Sequence, residues 1–113
     1  MSSLAKLGIV EWHDLPLDNI SINHDSIKID ISAIVDGAKD YRQFSLELSG
    51  FTNCSVNISG DLNSAVLKEL EVAKFDYKEV EGLLSGSIGI LPGNAGYWSV
   101  DFENAKWVFD ENT

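Results

Sequence analysis

The two histidines are the first residues of this sequence whose type and spacing suggest chemistry. His13 and His24 are each followed by an aspartate, and a His-Asp step can bind a metal ion in some hydrolases. The surrounding pattern, however, puts His24 in a turn at one end of a hairpin and His13 ahead of the strand at its other end. With one cysteine and no third histidine, the set of ligands is also too small. We therefore expect no metal site and no cofactor.

Nucleophilic catalysis has little more support. The chain contains neither a Gly-x-Ser-x-Gly elbow nor a glycine-rich loop that opens a helix around a phosphate group. Cys54 is the only cysteine, which excludes an internal disulfide. It begins an alternating run that ends at Ile58, so we expect a strand whose thiol faces the core and reacts slowly. The sequence indicates that the protein is not an enzyme.

Carboxylates offer the best candidate for a binding surface. They are densest from residue 69 to residue 81, although lysines lie among them. Two further acids follow the polar parity of a later strand and extend the same surface if that strand lies beside it. The competing interpretation is a solvated face that only keeps the protein dispersed. The candidate partner-binding acids are Glu69, Glu71, Asp76, Glu79, Glu81, Asp101 and Glu103.

Three aromatic residues near the end of the chain could form a stacking platform for a sugar or a base. Trp98 and Trp107 follow the apolar parity of their strands, which favours the core for both. Tyr97 points the opposite way from its neighbour Trp98. It is therefore the aromatic candidate for an exposed contact, and it joins the seven acids as a candidate binding residue.

Strands must position all of these side chains, and the clearest of them form a hairpin. Ile20 and Ile22 alternate with polar residues, and so do the apolar residues from Ile27 to Val35. The run Asn23–Ser26 between them consists of turn formers. Pairing Ile22 with Ile27 turns the isoleucines to one face, and a slip of one residue would expose them all.

Two shorter segments lie after and before this hairpin in the chain. Phe44, Leu46 and Leu48 alternate with polar residues, and placing Phe44 opposite Ala33 continues the sheet as a meander. The apolar residues between Leu4 and Val10 fit either a short strand or a single helical turn that docks on the core.

The segment from Ser64 to Val80 also fits two interpretations. Val66, Leu70 and Ala73 recur at helical spacing, and the charged residues between them favour a helix. Alternation interrupted by a bulge favours a strand instead. We prefer the strand because the neighbouring segments on both sides are strands.

A second hairpin completes the fold. Apolar residues alternate from Leu84 to Ile90 and again from Trp98 to Phe102, around the loop Pro92–Gly96. The parity then flips, so Glu103–Asn104 marks either a bulge or a tight turn. The pattern predicts a mainly β fold, a small antiparallel β-sandwich or open barrel built from meander hairpins, with at most one short helix, possibly at 64–80, in a single domain 1–113.

Charge narrows the choice of partners. Eighteen acidic residues against eight basic ones give a formal net charge of −10, which repels nucleic acid and anionic membranes. A basic protein is the better partner. We expect a cytoplasmic location, because no apolar run is long enough for a signal peptide or a membrane span.

The run from Glu11 to Asp14 carries a resemblance. A Trp-His-Asp step, a short strand like Leu17–Ile22, a polar turn and a strand like Ile27–Val35 resemble the opening of a group of small acidic bacterial proteins that includes immunity proteins of toxin systems. The resemblance implies a cytosolic protein that binds one toxin domain and blocks it, and it names no site residue. Within this chain we expect Trp12 to cover an end of the core and Asp14 to cap local backbone N–H groups.

These observations lead to two functional hypotheses. The first is an immunity protein that neutralises a toxin domain, such as a nuclease, by steric and electrostatic occlusion. The alternative is a carbohydrate- or small-ligand-binding β-module that uses Tyr97 and its loop. The salt dependence of binding distinguishes the two hypotheses. Charge-steered association slows as the salt concentration rises, whereas stacking on a neutral sugar hardly changes.

Overall fold

The computed structural model describes residues 4–34, 40–58, 69–92 and 96–112. Within these ranges the chain forms one short helix and seven strands, and neighbouring strands are antiparallel. The elements are α1 (Leu4–Gly8), β1 (Leu15–Ile22), β2 (Ser26–Ala33), β3 (Arg42–Ser49), β4 (Asn53–Asn57), β5 (Glu71–Val80), β6 (Leu83–Leu91) and β7 (Trp98–Glu111). The mainly β prediction is confirmed.

β1 and β7 each pair with strands on both sides of the fold, one side formed by β2 and β3 and the other by β4, β5 and β6. These pairings make the sheet a partly open barrel. The strand order is β3-β2-β1-β5-β6-β7-β4, and β3 also pairs with β7, which closes a ring. β1 pairs with β2 along most of its length but with β5 only at Leu15 and Pro16. β7 pairs with β4 and β6 in its first half and with β3 in its second half.

The first hairpin has the expected register, and the strand after it does not. Ile22 lies opposite Ile27 and Ile20 opposite Ile29. The sequence predicts Phe44 opposite Ala33, but the structure pairs Phe44 with Ile31. A slip of two residues keeps every side chain on its own face, so apolar alternation does not distinguish the two registers. The predicted face of β3 was right and its predicted register was wrong.

Over residues 71–80, the structure decides between the helix and the strand that the sequence left open. These residues form a strand, and the register with β6 shifts at Ala73. This bulge explains why Val72 and Phe75 are both buried although their parities differ. Residues 64–68 lie outside the described ranges. Within those ranges the single helix is α1, so a helix over 71–80 is excluded.

β7 bends where its apolar parity changes. Phe102 and Ala105 are both buried because Asn104 adopts a positive φ of 54° and inserts an extra residue. The N–H of Asn104 donates to Ser85 Oγ at 3.0 Å, across the shifted register of β6 and β7. The bend is therefore a bulge and not a tight turn, and it lets β7 leave one half of the sheet and join the other.

Trp12 and α1 close one end of the barrel. The Trp12 ring centroid lies 4.9 Å from that of Phe75 and 5.5 Å from that of Phe109. Its indole Nε1–H donates to the carbonyl of Leu7 at 3.0 Å, which ties α1 to the core. The prediction that Trp12 covers an end of the core is confirmed.

Within the described ranges, no helix is long and apolar enough to cross a membrane.

Candidate functional site

The solvent-facing side of β4, β5, β6 and β7, called the outer face below, carries the candidate site. These strands lie in the order β5-β6-β7-β4. Pairing aligns Asp76 with Ser87, Ser87 with Asp101, and Asp101 with Ser55. The residues that alternate with this row are the buried ones, such as Phe102, so the row itself faces solvent.

Two carboxylates of this row stand on either side of a short side chain. Asp76 and Asp101 are separated by one strand, which places their backbones roughly 10 Å apart. Ser87 lies between them and is too short to cover either one. Lys74 Nζ lies 3.6 Å from Asp76 Oδ2, whereas Asp101 has no ion pair with any described residue. The Asp101 carboxylate is therefore exposed without a cationic partner among the described residues.

A cleft of about 670 Å³ opens on the outer face, between the end of the β5–β6 hairpin and the bend in β7. At its floor, a Cβ added to Gly86 would overlap the backbone oxygen of Asp76, so glycine lets β5 and β6 approach this closely. The polar side chains around the cleft belong to Asp76, Tyr77, Lys78, Ser85, Ser87, Glu103 and Asn104. The cleft thus combines carboxylates, hydroxyls and one ammonium group.

Tyr97 lies on the same outer face, as its parity predicts. Its side chain is 44% exposed. Its hydroxyl end covers Gly89, where an added Cβ would overlap the phenol oxygen. Gly89 is paired with Lys74 on one side and Ser99 on the other, so the ring stands over the row next to the carboxylates.

The other four predicted acids lie apart from this group. Glu69 lies in the turn before β5, and Glu71 is half-buried at its first position. Glu81 occupies the β5–β6 turn with a positive φ of 54°. Glu79 points to the inner side and accepts a hydrogen bond from Trp107 Nε1 at 3.2 Å. The structure therefore places Asp76, Asp101, Glu103 and Tyr97 on the outer face, with Asp76 and Glu103 at the cleft, and does not gather the whole segment 69–81 there.

The His13–Asp14 step has a structural part in the junction of β1 and β5. His13 Nδ1 lies 2.7 Å from the carbonyl of Ala73, and His13 Nε2 lies 3.2 Å from Asp14 Oδ2. The predicted capping by the Asp14 carboxylate is replaced by this contact with His13, and the Asp14 N–H donates to the Val72 carbonyl at 2.8 Å. Among the described residues, no three His, Cys, Asp or Glu side chains are grouped to hold a metal ion.

Cys54 lies on β4 beside this site. It is half-buried and paired with the buried Phe102, so the inward parity was right. β4 is the last strand in the order, and its next apolar residue, Val56, is 38% exposed although it has the same parity as Cys54. Burial raises the pKa of the Cys54 thiol, and the Asp101 carboxylate raises it further.

We expect native Cys54 to react with iodoacetamide near neutral pH more slowly than free cysteine does, because the raised pKa leaves less thiolate. Asp101→Asn removes the second cause and should speed the reaction. Ser55→Ala, on the same strand, is the control that leaves both causes in place. Rate constants from mass spectrometry measure the effect, and a native rate equal to that of free cysteine would contradict it.

The small residues of the outer face were missed by sequence reasoning. The polar parity of β6 does predict that Ser85 and Ser87 face outward, but nothing singled them out as part of a site. A glycine inside a strand pattern is the available signal for a close backbone approach such as that at Gly86. That signal does not say which strand approaches.

Fold and site together define a mainly β protein whose outer face presents carboxylates and one tyrosine among small hydroxyl side chains. No family model, curated protein or solved structure matches this chain. Its function has to be inferred from its own residues.

Proposed function

We propose that the protein is an immunity-type inhibitor that binds a basic toxin domain, such as a nuclease, through its outer face. The observation that carries this proposal is the convergence of Asp76, Asp101 and Glu103, from two strands that are not neighbours, on one exposed surface. Within the described ranges, Asp101 and Glu103 have no ion-pair partner of their own. Their charges are therefore available to lysine or arginine side chains of another protein.

Inhibition by such a surface needs no catalytic group. A net charge of −10 accelerates the approach of a basic partner, and the carboxylates of the outer face then fix its orientation. A nuclease must expose cationic residues to bind nucleic acid. An inhibitor that occupies those residues excludes the substrate by volume and by charge. The inhibitor would act in the cytoplasm, where a toxin reaches its substrate.

Reversing two carboxylates tests this role. We expect Asp101→Lys/Glu103→Lys to slow association with the cognate toxin domain by roughly tenfold or more at low salt, since charge reversal in a steered complex acts mainly on the association rate. The reading frame beside this gene is the first candidate for the toxin, and surface plasmon resonance measures both rate constants.

The matched control is Asp25→Lys/Glu47→Lys. This double variant changes the net charge by the same amount. Both residues are exposed, and neither belongs to β4–β7, since Asp25 lies in the turn before β2 and Glu47 lies on β3. Equal association rates for the two double variants would mean that net charge alone matters and would contradict a binding role for the outer face. Slower association of the variant Glu69→Lys/Glu71→Lys would show in addition that the interface reaches the start of β5.

A second candidate, a small-ligand- or carbohydrate-binding module, is favoured by the placement of Tyr97. An aromatic side chain that lies along a sheet, 44% exposed and flanked by hydroxyl and ammonium groups, resembles a platform for a sugar ring. Oligosaccharide binding that is lost in Tyr97→Ala and unchanged by salt would favour this candidate. Toxin binding that weakens with salt and survives Tyr97→Ala would favour the inhibitor.

A further inference from the structure

Among the described residues, β5 has a paired neighbour on only one side for most of its length. On one side it pairs with β6 from Glu71 to Val80, and on the other side it pairs with β1 only at Glu71 and Val72. Beyond the bulge at Ala73, the described residues supply no second neighbour for the stretch 74–80. With respect to the described residues, this edge therefore presents N–H and C=O groups that can pair with another strand.

The order of charges along this edge identifies the partner strand. In an antiparallel pair related by a two-fold axis through Tyr77, Asp76 lies opposite Lys78 of the second copy, and Lys78 lies opposite its Asp76. Both residues are exposed on the outer face, so the two pairs face solvent together. The geometry points to a symmetric dimer in which the β5 edges of two copies pair about Tyr77.

Moving the axis by one residue in either direction brings like charges together. An axis through Asp76 places Asp76 opposite itself and Lys74 opposite Lys78, and an axis through Lys78 places that lysine opposite itself. Like charges directly opposite each other destabilise a strand pair. An axis nearer the start of β5 is blocked, because the segment His13–Asp14 already covers the edge at Val72 and Ala73. Of the axes through Asp76, Tyr77 and Lys78, only the axis through Tyr77 places opposite charges against each other.

The same register gives the other side chains of this edge suitable neighbours. Val80 is 58% exposed, and it would lie opposite the aliphatic stem of Lys74. Glu79 would lie opposite Phe75, and its carboxylate is already held by Trp107. Tyr77, half-buried with its ring centroid 4.6 Å from that of Phe75, would meet its own copy at the axis.

The dimer is independent of the proposed inhibitory function. It would join two outer faces into one continuous sheet surface with a cleft on each side of the axis. A partner with two basic regions could then bind across the axis, but the pairing of β5 itself requires no partner.

Sedimentation equilibrium of the purified chain over a concentration series tests the dimer. The parent should approach twice its monomer mass of 12.4 kDa as concentration rises. Asp76→Lys and Lys78→Asp each place like charges opposite one another, so each should weaken self-association by roughly tenfold. The double variant Asp76→Lys/Lys78→Asp exchanges the two charges and should dimerise like the parent. Circular dichroism melts confirm that all variants fold.

Mixing the two single variants gives the most specific result. In the mixed dimer both lysines of one chain face aspartates of the other, so two proteins that separately self-associate weakly should associate with each other as strongly as the parent does with itself. A parent that stays monomeric over the whole concentration series would overturn the proposal. It would do so even if the β5 edge pairs with a different protein. A dimer unaffected by either single reversal, or a mixture that fails to associate, would overturn it as well.

Discussion

Trp12→Ala should lower the free energy of unfolding by about 3 to 5 kcal/mol, which is the usual loss for a large buried aromatic residue. Trp12 is 8% exposed and contacts the rings of Phe75 and Phe109. Its removal leaves a cavity between β5 and β7 and also frees α1, since the hydrogen bond from Nε1 to the Leu7 carbonyl is lost. Urea denaturation followed by fluorescence of the remaining tryptophans measures the change.

Two further variants show which contact matters. Trp12→Phe keeps an aromatic ring in the cavity and removes the hydrogen bond, so we expect a smaller loss than for alanine. Tyr41→Ala removes an exposed aromatic residue and should change stability by less than about 0.5 kcal/mol. If Trp12→Ala and Tyr41→Ala have equal effects, Trp12 does not close the barrel.

Ile29→Ala should lower the free energy of unfolding by about 2 to 5 kcal/mol, because the truncated side chain leaves a cavity among fully packed neighbours. Ile29 is 1% exposed and lies between Ile20 of β1 and Leu46 of β3. The midpoint and slope of urea unfolding measure the loss.

Ile22→Ala is the matched control for this prediction. Ile22 lies on the same face of the same hairpin but is 52% exposed, so its truncation should cost less than half as much as that of Ile29. Similar losses at the two positions would contradict the register of β1 and β2.

The strands could be predicted from sequence because apolar side chains must alternate when one face of a sheet is buried. This reasoning also found the parity change at Asn104, which the structure shows as a bulge. It could not fix the pairing of Phe44 with Ile31, because registers that differ by two residues bury the same side chains.

The candidate site was harder to predict because it depends on parity within β5 and on the order of strands. The bulge at Ala73 reverses the parity after it, which leaves Asp76 outside and turns Glu79 inward. A run of acids close together in sequence therefore splits between the two faces. The pairing of Asp101 with Ser87 brings carboxylates from distant segments to the outer face, and no local pattern specifies that pairing.

The bend in β7 also has a consequence for the kinetics of folding. Because β3 and β4 both pair with β7, these contacts join distant parts of the chain, as in the pair Arg42 and Glu111, which are 69 positions apart. Long loops must be closed before such contacts contribute any stability. The barrel should therefore fold on the millisecond-to-second timescale of β-rich domains with many non-local contacts. Amide hydrogens in the first half of β7, which pairs with β4 on one side and β6 on the other, should exchange with solvent only when the whole barrel unfolds.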